Sequence, residues 1–113
     1  MKTVWKYPIP VDDVVAITMP KGAEILHVSE QHGTPTMWVL VDPLEPVQAR
    51  QFRFAGTGHP IEDHHAVAHV GSFFMQGGAL VFHLFETKAS LIENDIAWKQ
   101  RFTFPTDCPA EKV

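Results

Sequence analysis

The feature that most constrains this chain is its regular division into short apolar or alternating runs. Gly, Pro and Asp residues interrupt the sequence about every ten residues, which is the spacing of an all-β protein. The runs that read as strands are residues 4–7, 14–19, 23–30, 36–42, 51–54, 67–75 and 79–87. Within residues 23–30, strict alternation puts Ile25 and Val28 on opposite faces. The pattern predicts an all-β fold, a small antiparallel β-sandwich or partly open barrel of about seven strands.

Two hairpin turns stand out in this pattern. A His-Gly pair at residues 32–33 and a Gln-Gly-Gly turn at residues 76–78 each join two β-rich runs, where glycine accepts a positive φ. The register of the second hairpin stays open. A two-residue loop pairs Ser72 with His83, whereas a three-residue loop makes His69 and His83 diagonal neighbours on one face.

The run at residues 37–41 is apolar at every position. Such a run indicates a central strand covered on both sides, or a strand whose second face contacts another subunit. An apolar surface that a small domain cannot bury in its own core tends to be buried against a second copy. The sequence therefore predicts a homo-oligomer.

The pattern changes near the end of the chain. Ser90 followed by Glu93 has the form of a capping box and predicts a short helix over residues 90–100. We therefore expect an all-β core domain over residues 1–86. Residues 87–113 are expected to form a C-terminal extension, partly helical or poorly ordered.

Charge and composition exclude several classes of partner and compartment. The net charge of −4 gives no basic footprint for a phosphate backbone, so nucleic acid is not favoured as a partner. No run approaches the roughly 18 apolar residues that span a bilayer, so no membrane association is expected. The single cysteine, Cys108, cannot form an internal disulfide, and the N-terminus has no signal-peptide core. We expect a cytoplasmic protein.

A histidine-rich segment raises the question of metal binding. Residues 59–69 hold four of the seven histidines together with Glu62 and Asp63. If a metal is bound, the expected ligands are His59, His65, His69 and His83. In an extended chain, however, His65 and His69 would lie roughly 13 Å apart at about 3.3 Å per residue. The favoured interpretation is therefore surface or hydrogen-bonded histidines, with no metal and no cofactor.

A glycine-rich turn suggests a different ligand. Its backbone N–H groups could form an anion-binding concavity, and arginine suits phosphate. The candidate ligand-binding residues are Arg50, Arg53, Gly56, Thr57, Gly58 and His59. This set supports a nucleotide-sequestering protein as one alternative, and the histidines support a metal-binding protein or enzyme as another. Neither Ser72 nor Cys108 has the sequence context of a nucleophile, so the chain is expected not to be an enzyme.

Four patches carry a resemblance to a known group. They are WKYPIP at residues 5–10, MPKGAEILHV at 19–28, RFAGTGHPI at 53–61 and HVGSFFMQGGALVFHLFE at 69–86. In these patches the chain resembles a family of short uncharacterised proteins of tailed phages and prophages. The resemblance implies a phage-encoded accessory protein in the bacterial cytoplasm. The leading hypothesis is a non-enzymatic homo-oligomer that binds a host protein or a small ligand.

Overall fold

A computed structural model describes residues 1–93 and 111–112 of the chain. Seven strands and one short helix make up most of the fold, and a two-residue strand follows at the end. The strands are β1 (Thr3–Pro8), β2 (Val14–Pro20), β3 (Glu24–Gln31), β4 (Thr34–Val41), β5 (Val47–Gly56), β6 (Ala68–Met75), β7 (Leu80–Glu86) and β8 (Glu111–Lys112). The helix α1 covers Lys88–Glu93. The predicted all-β class and the seven predicted strands are confirmed.

The strands form two four-stranded antiparallel sheets. The first sheet has the order β3-β4-β1-β8 and the second has the order β2-β5-β7-β6. The division into two sheets is that of the predicted sandwich, and the strands do not form a closed barrel. β1 and β3 belong to the first sheet and β2 to the second, so the first three strands alternate between the sheets. β1 pairs with β4, and β2 pairs with β5.

The core lies between the inner faces of the two sheets. In β4, Met37, Val39 and Val41 are fully buried, while β5 contributes Phe52 and Phe54. Trp38 and Leu40 alternate with the buried residues of β4 and are only partly exposed on the outer face. The apolar run at residues 37–41 is thus a central strand with one face in the core and the other on the surface of the sandwich.

Two β-bulges change which side chains face the core. One lies in β3 between Ile25 and His27, and the other lies in β6 between His69 and Gly71. The first bulge makes the expected alternation in β3 wrong, because Val28 is buried and Ile25 packs against the same core. The second bulge lies next to Gly71, where a Cβ would overlap Val28 of β3, so β6 and β3 approach each other closely at this point.

The first predicted hairpin turn is confirmed. Gln31 pairs with Thr34, and the two residues between them, His32 and Gly33, have φ values of 51° and 82°. Positive φ at both central positions is the mark of a type I′ turn, whose twist matches that of the flanking strands. In the second hairpin the last pair is Met75 with Leu80, and the turn between them takes four residues.

The C-terminal helix begins earlier than the sequence predicted. Ser90 lies inside α1, and its backbone N–H donates to Thr87 Oγ1 at 3.3 Å, so Thr87 caps the helix. The capping box that we assigned to Ser90 and Glu93 is therefore wrong, although a short helix is present. Residues 94–100 of the predicted helix and Cys108 lie outside the described residues. No helix within residues 1–93 is long and apolar enough to cross a membrane.

Candidate functional site

A chain of imidazole and hydroxyl groups crosses the outer face of the second sheet. Ser72 Oγ lies 2.7 Å from His83 Nδ1 and 3.0 Å from His69 Nε2. The other ring nitrogen of His83, Nε2, lies 2.8 Å from Thr57 Oγ1. We call these four residues, from β6, β7 and the turn after β5, the hydroxyl–imidazole network.

One carbonyl sets the direction of these hydrogen bonds. Thr57 Oγ1 donates to the carbonyl oxygen of Val81 at 3.3 Å, so it accepts from His83 Nε2–H. In the tautomer of His83 that carries its hydrogen on Nε2, Nδ1 accepts the Ser72 hydroxyl proton. Ser72 Oγ in turn accepts from His69 Nε2–H. Each hydrogen points one way along the network, from His69 towards Val81.

The bulge in β6 is what brings the network together. On the turn side of the bulge Ser72 pairs with His83, as the shorter predicted loop requires. Beyond the bulge His69 pairs with Phe85, as the longer loop requires. Both predicted registers therefore occur in one hairpin. The extra residue, Val70, turns His69 onto the same face as Ser72, where strict alternation would have put them on opposite faces.

The network is open to solvent. Thr57, His69 and Ser72 are exposed and His83 is half-buried. What the network supplies is a surface rich in hydrogen-bond donors and acceptors, with the Phe85 ring 5.3 Å from that of His69.

The glycine-rich turn is largely engaged with its own chain. Thr57 N–H donates to the Val81 carbonyl at 3.2 Å, and His59 N–H donates to the Gly56 carbonyl at 3.1 Å. A Cβ at Gly56 would lie only 3.0 Å from Cε1 of His59, so a glycine lets the imidazole lie close to the backbone. Gly58 has a φ of 88° and completes the turn. Two of the N–H groups expected to bind an anion are therefore already hydrogen-bonded.

Arg50 points between the two sheets. Its Nε and Nη2 atoms each donate to Glu86 at 2.8 Å, and Nη1 donates to the Ala23 carbonyl at 2.7 Å. Burial raises the pKa of Glu86. The hydrogen bonds from Arg50 and Ser90 and the charge of Arg50 together lower it by more than burial raises it, so the pKa of Glu86 is below its ordinary value. Arg50 also lies six residues from Gly56 along β5, or about 20 Å. It is not near the glycine-rich turn.

Arg53 does reach the turn region. Its Nη2 donates to the Pro60 carbonyl at 3.1 Å, and Nη1 lies 3.5 Å from Oδ1 of Asp13. The structure therefore brings Arg53 together with the segment after the glycines and separates Arg50 from it. Ligand binding by the predicted set remains a prediction.

A second polar cluster occupies the segment between β5 and β6. Glu62 Oε2 lies 3.3 Å from His64 Nε2 and 3.8 Å from His65 Nδ1. The ligand atoms of these three residues all lie within 4.8 Å of one another. We call Glu62, His64 and His65 the Glu-His-His cluster. It was not the predicted metal set, since the structure places His65 in this cluster and His69 and His83 in the hydroxyl–imidazole network.

Parts of both groups were visible in the sequence. Glu62, His64 and His65 lie in the histidine-rich segment, and the pairing of Ser72 with His83 follows from a two-residue loop. Two structural features that assemble these groups were not predicted from the sequence. The turn that gathers the Glu-His-His cluster is a 3-10 turn at Asp63–His65 without a helical pattern in the sequence. The bulge that turns His69 has only Gly71 beside it as a local sign.

Comparison with known proteins gives one match. The model of a family described as a domain of unknown function, DUF7352, matches residues 1–94. No curated protein and no solved structure matches the chain. The matched range includes all seven strands of the sandwich proper, α1 and both polar groups described above.

Proposed function

This chain belongs to the DUF7352 family of domains of unknown function, and we propose that it is a non-enzymatic binding domain that acts as a homo-oligomer. In this proposal the first sheet provides the contact between copies. The outer face of the second sheet is left for a partner protein or a small ligand.

The observation that carries the proposal is an apolar stripe on the outer face of the first sheet. Trp38 and Leu40 point outwards from β4, and Val4 of β1 pairs directly with Leu40. All three are partly exposed, although β4 is an inner strand of its sheet. Large apolar side chains grouped on a sheet face are typical of protein interfaces. We call Val4, Trp38 and Leu40 the Trp38 stripe.

The position of the stripe suits a second copy as the occupant. The stripe lies along β4, an inner strand of the first sheet, with β3 on one side and β1 on the other. A twofold axis parallel to the strands places β1 of one copy opposite β3 of the other, and the apolar stripes of the two copies then lie against each other in the middle. A surface that meets itself in this way is what an isologous interface requires.

The association state of Leu40→Glu tests the proposal. We expect sedimentation velocity to show a concentration-dependent dimer for the wild type. An unpaired carboxylate in an apolar interface should weaken the dimer by about tenfold or more, equivalent to about 1.4 kcal/mol or more. Leu44→Glu is the matched control, because Leu44 is 88% exposed in the turn after β4 and lies outside the stripe.

Two outcomes would contradict the proposal. One is a wild type that stays monomeric at the highest concentration reached, and the other is a Leu40→Glu variant that associates as the wild type does. Far-ultraviolet circular dichroism checks that each variant is folded. Val4→Glu provides a second substitution in the stripe, on a different strand, if Leu40→Glu does not fold.

The second sheet supplies the proposed partner surface. The hydroxyl–imidazole network offers donors and acceptors there, and Phe74, two residues from Ser72 along β6, is 67% exposed. Exposed aromatic rings beside polar groups are common at binding surfaces. The resemblance to tailed-phage proteins supports a partner or ligand in the bacterial cytoplasm. A partner captured by the wild type and by Leu44→Glu but lost with Phe74→Asp would support this surface, and a partner retained by Phe74→Asp would exclude it.

A further inference from the structure

We propose that the Glu-His-His cluster is a binding site for a divalent transition-metal ion, with Zn²⁺ as the best match. This site would be additional to the binding surfaces of the proposed function and does not depend on them. It is formed by one short segment of the chain, with Glu62 supplying a carboxylate oxygen and His64 and His65 supplying one ring nitrogen each.

The spacing of the three atoms is close to that of ligands sharing one ion. Ligands about 2.0–2.1 Å from Zn²⁺ in a tetrahedral site lie about 3.3–3.4 Å from each other. The Glu62 Oε2 to His64 Nε2 distance is 3.3 Å and already equals this edge. The Glu62 Oε2 to His65 Nδ1 distance is 3.8 Å, about half an ångström longer than this edge, and the three ligand atoms all lie within 4.8 Å of one another. To complete the site, the His65 ring has to move closer to both of its partners.

The backbone holds the segment in the required turn. His65 N–H donates to the Glu62 carbonyl at 2.9 Å, and Ala66 N–H donates to the Asp63 carbonyl at 3.2 Å. The segment is tied to β5 by the bond from Arg53 Nη2 to the Pro60 carbonyl, and the turn lies against α1. The side chain of His65 is only 18% exposed, so one ligand has restricted freedom before any ion binds. Restricted ligands lose less entropy on binding.

The donor set selects the class of ion. Two imidazole nitrogens and one carboxylate oxygen suit Zn²⁺, Co²⁺ or Ni²⁺, whereas Mg²⁺ and Ca²⁺ prefer oxygen ligands. Three protein ligands leave a fourth tetrahedral position for water or for an atom of a bound molecule. The side chains of Glu62 and His64 are 70% and 58% exposed, so an incoming ligand can reach that position.

Isothermal titration with ZnCl₂ on untagged protein tests the site. Every sample carries Cys108→Ser, so that the thiol cannot bind the ion. We expect one Zn²⁺ per chain, with the dissociation constant raised about tenfold or more in Glu62→Gln and in His64→Gln. His32→Asn is the matched control, since it removes an exposed imidazole outside the cluster and asparagine tolerates the positive φ of that position.

Nuclear magnetic resonance identifies the ligands independently of affinity. We expect Zn²⁺ to shift the ring signals of His64 and His65 and to leave those of His69 and His83 unchanged. The proposal is overturned if the wild type binds no Zn²⁺, or if binding survives both Glu62→Gln and His64→Gln. It is also overturned if His69→Gln abolishes binding while His64→Gln does not, because the ion would then bind at the hydroxyl–imidazole network.

Discussion

The ion pair between Arg50 and Glu86 should be the most sensitive polar contact in the sandwich. Glu86 is only 5% exposed, and its carboxylate accepts two hydrogen bonds from Arg50 and one from Ser90 Oγ at 2.6 Å. Arg50 also donates to the Ala23 carbonyl. The pair therefore joins β5 and β7 to α1 and to the segment before β3.

We predict that Arg50→Met lowers the free energy of unfolding by about 3–5 kcal/mol, because it leaves a buried carboxylate with Ser90 as its remaining donor. The hydrogen bonds give a similar figure by another route. The two bonds from Arg50 to Glu86 alone contribute about 1.5–3 kcal/mol each, and the bond to the Ala23 carbonyl is lost as well. Total stabilities of single domains are about 5–15 kcal/mol, so the loss is a large share of the total.

The pH dependence of this loss has a definite sign. In the wild type the pKa of Glu86 is below its ordinary value, so its contribution to stability is present above the unfolded pKa and is lost as the pH falls through the folded pKa. In Arg50→Met, burial acts with little opposition and raises the pKa of Glu86. Protonation of Glu86 then removes the unpaired buried charge and stabilises the folded variant. The difference in stability between the two proteins should therefore shrink as the pH falls from neutral towards the ordinary carboxyl range.

Urea denaturation followed by tryptophan fluorescence, at neutral and at mildly acidic pH, measures both effects. Arg53→Met is the control, since it is the same substitution on the opposite face of β5, where the partner Asp13 has an 87% exposed side chain. We expect it to cost about 1 kcal/mol. Arg50→Met/Glu86→Leu should recover part of the lost stability. A cost below about 1 kcal/mol for Arg50→Met, or a difference that does not shrink in acid, would refute the reasoning.

Two further predictions concern the core. A Cβ at Gly71 would overlap Cγ1 of Val28, so Gly71→Ala should lower the free energy of unfolding by about 1–3 kcal/mol. Val28→Ala should cost less stability in the Gly71→Ala background than in the wild type, because it removes the overlapping atom. Additive losses would show that the two sites do not touch. Burial raises the pKa of Tyr7 to about 12, and Tyr7 is the sole tyrosine, so phenolate absorbance should report this value in the folded protein and about 10 after unfolding in urea. Because the folded pKa is the higher one, stability should fall as the pH rises from about 10 to 12, and Tyr7→Phe should remove that part of the loss; a folded-state pKa near 10 would contradict the burial of the ring.

The sequence predicted the apolar surface of the protein better than it predicted the grouping of the histidines. The run at residues 37–41 pointed to an apolar surface beyond the core, and the structure locates its outer half at Trp38 and Leu40. The histidine-rich segment raised the question of a metal site. The structure groups Glu62, His64 and His65, whereas the predicted ligand set was His59, His65, His69 and His83. Spacing along the chain gives the distance between residues only while the backbone is regular, and both groups form where it is not.

What the sequence by itself determined was local: the seven strands, the turns between them and the short helix. Alternation of polar and apolar residues and the positive φ of glycine act within a few residues, so each element can be read without knowing its neighbours. The tertiary structure alone decided which strands pair, where the bulges fall and which charges are buried. Ser72 joins His69 because of one extra residue in β6, and Arg50 meets Glu86 because β5 and β7 are adjacent. Such contacts depend on residues far apart in the chain, whose mutual fit settles only when both sheets form around one core.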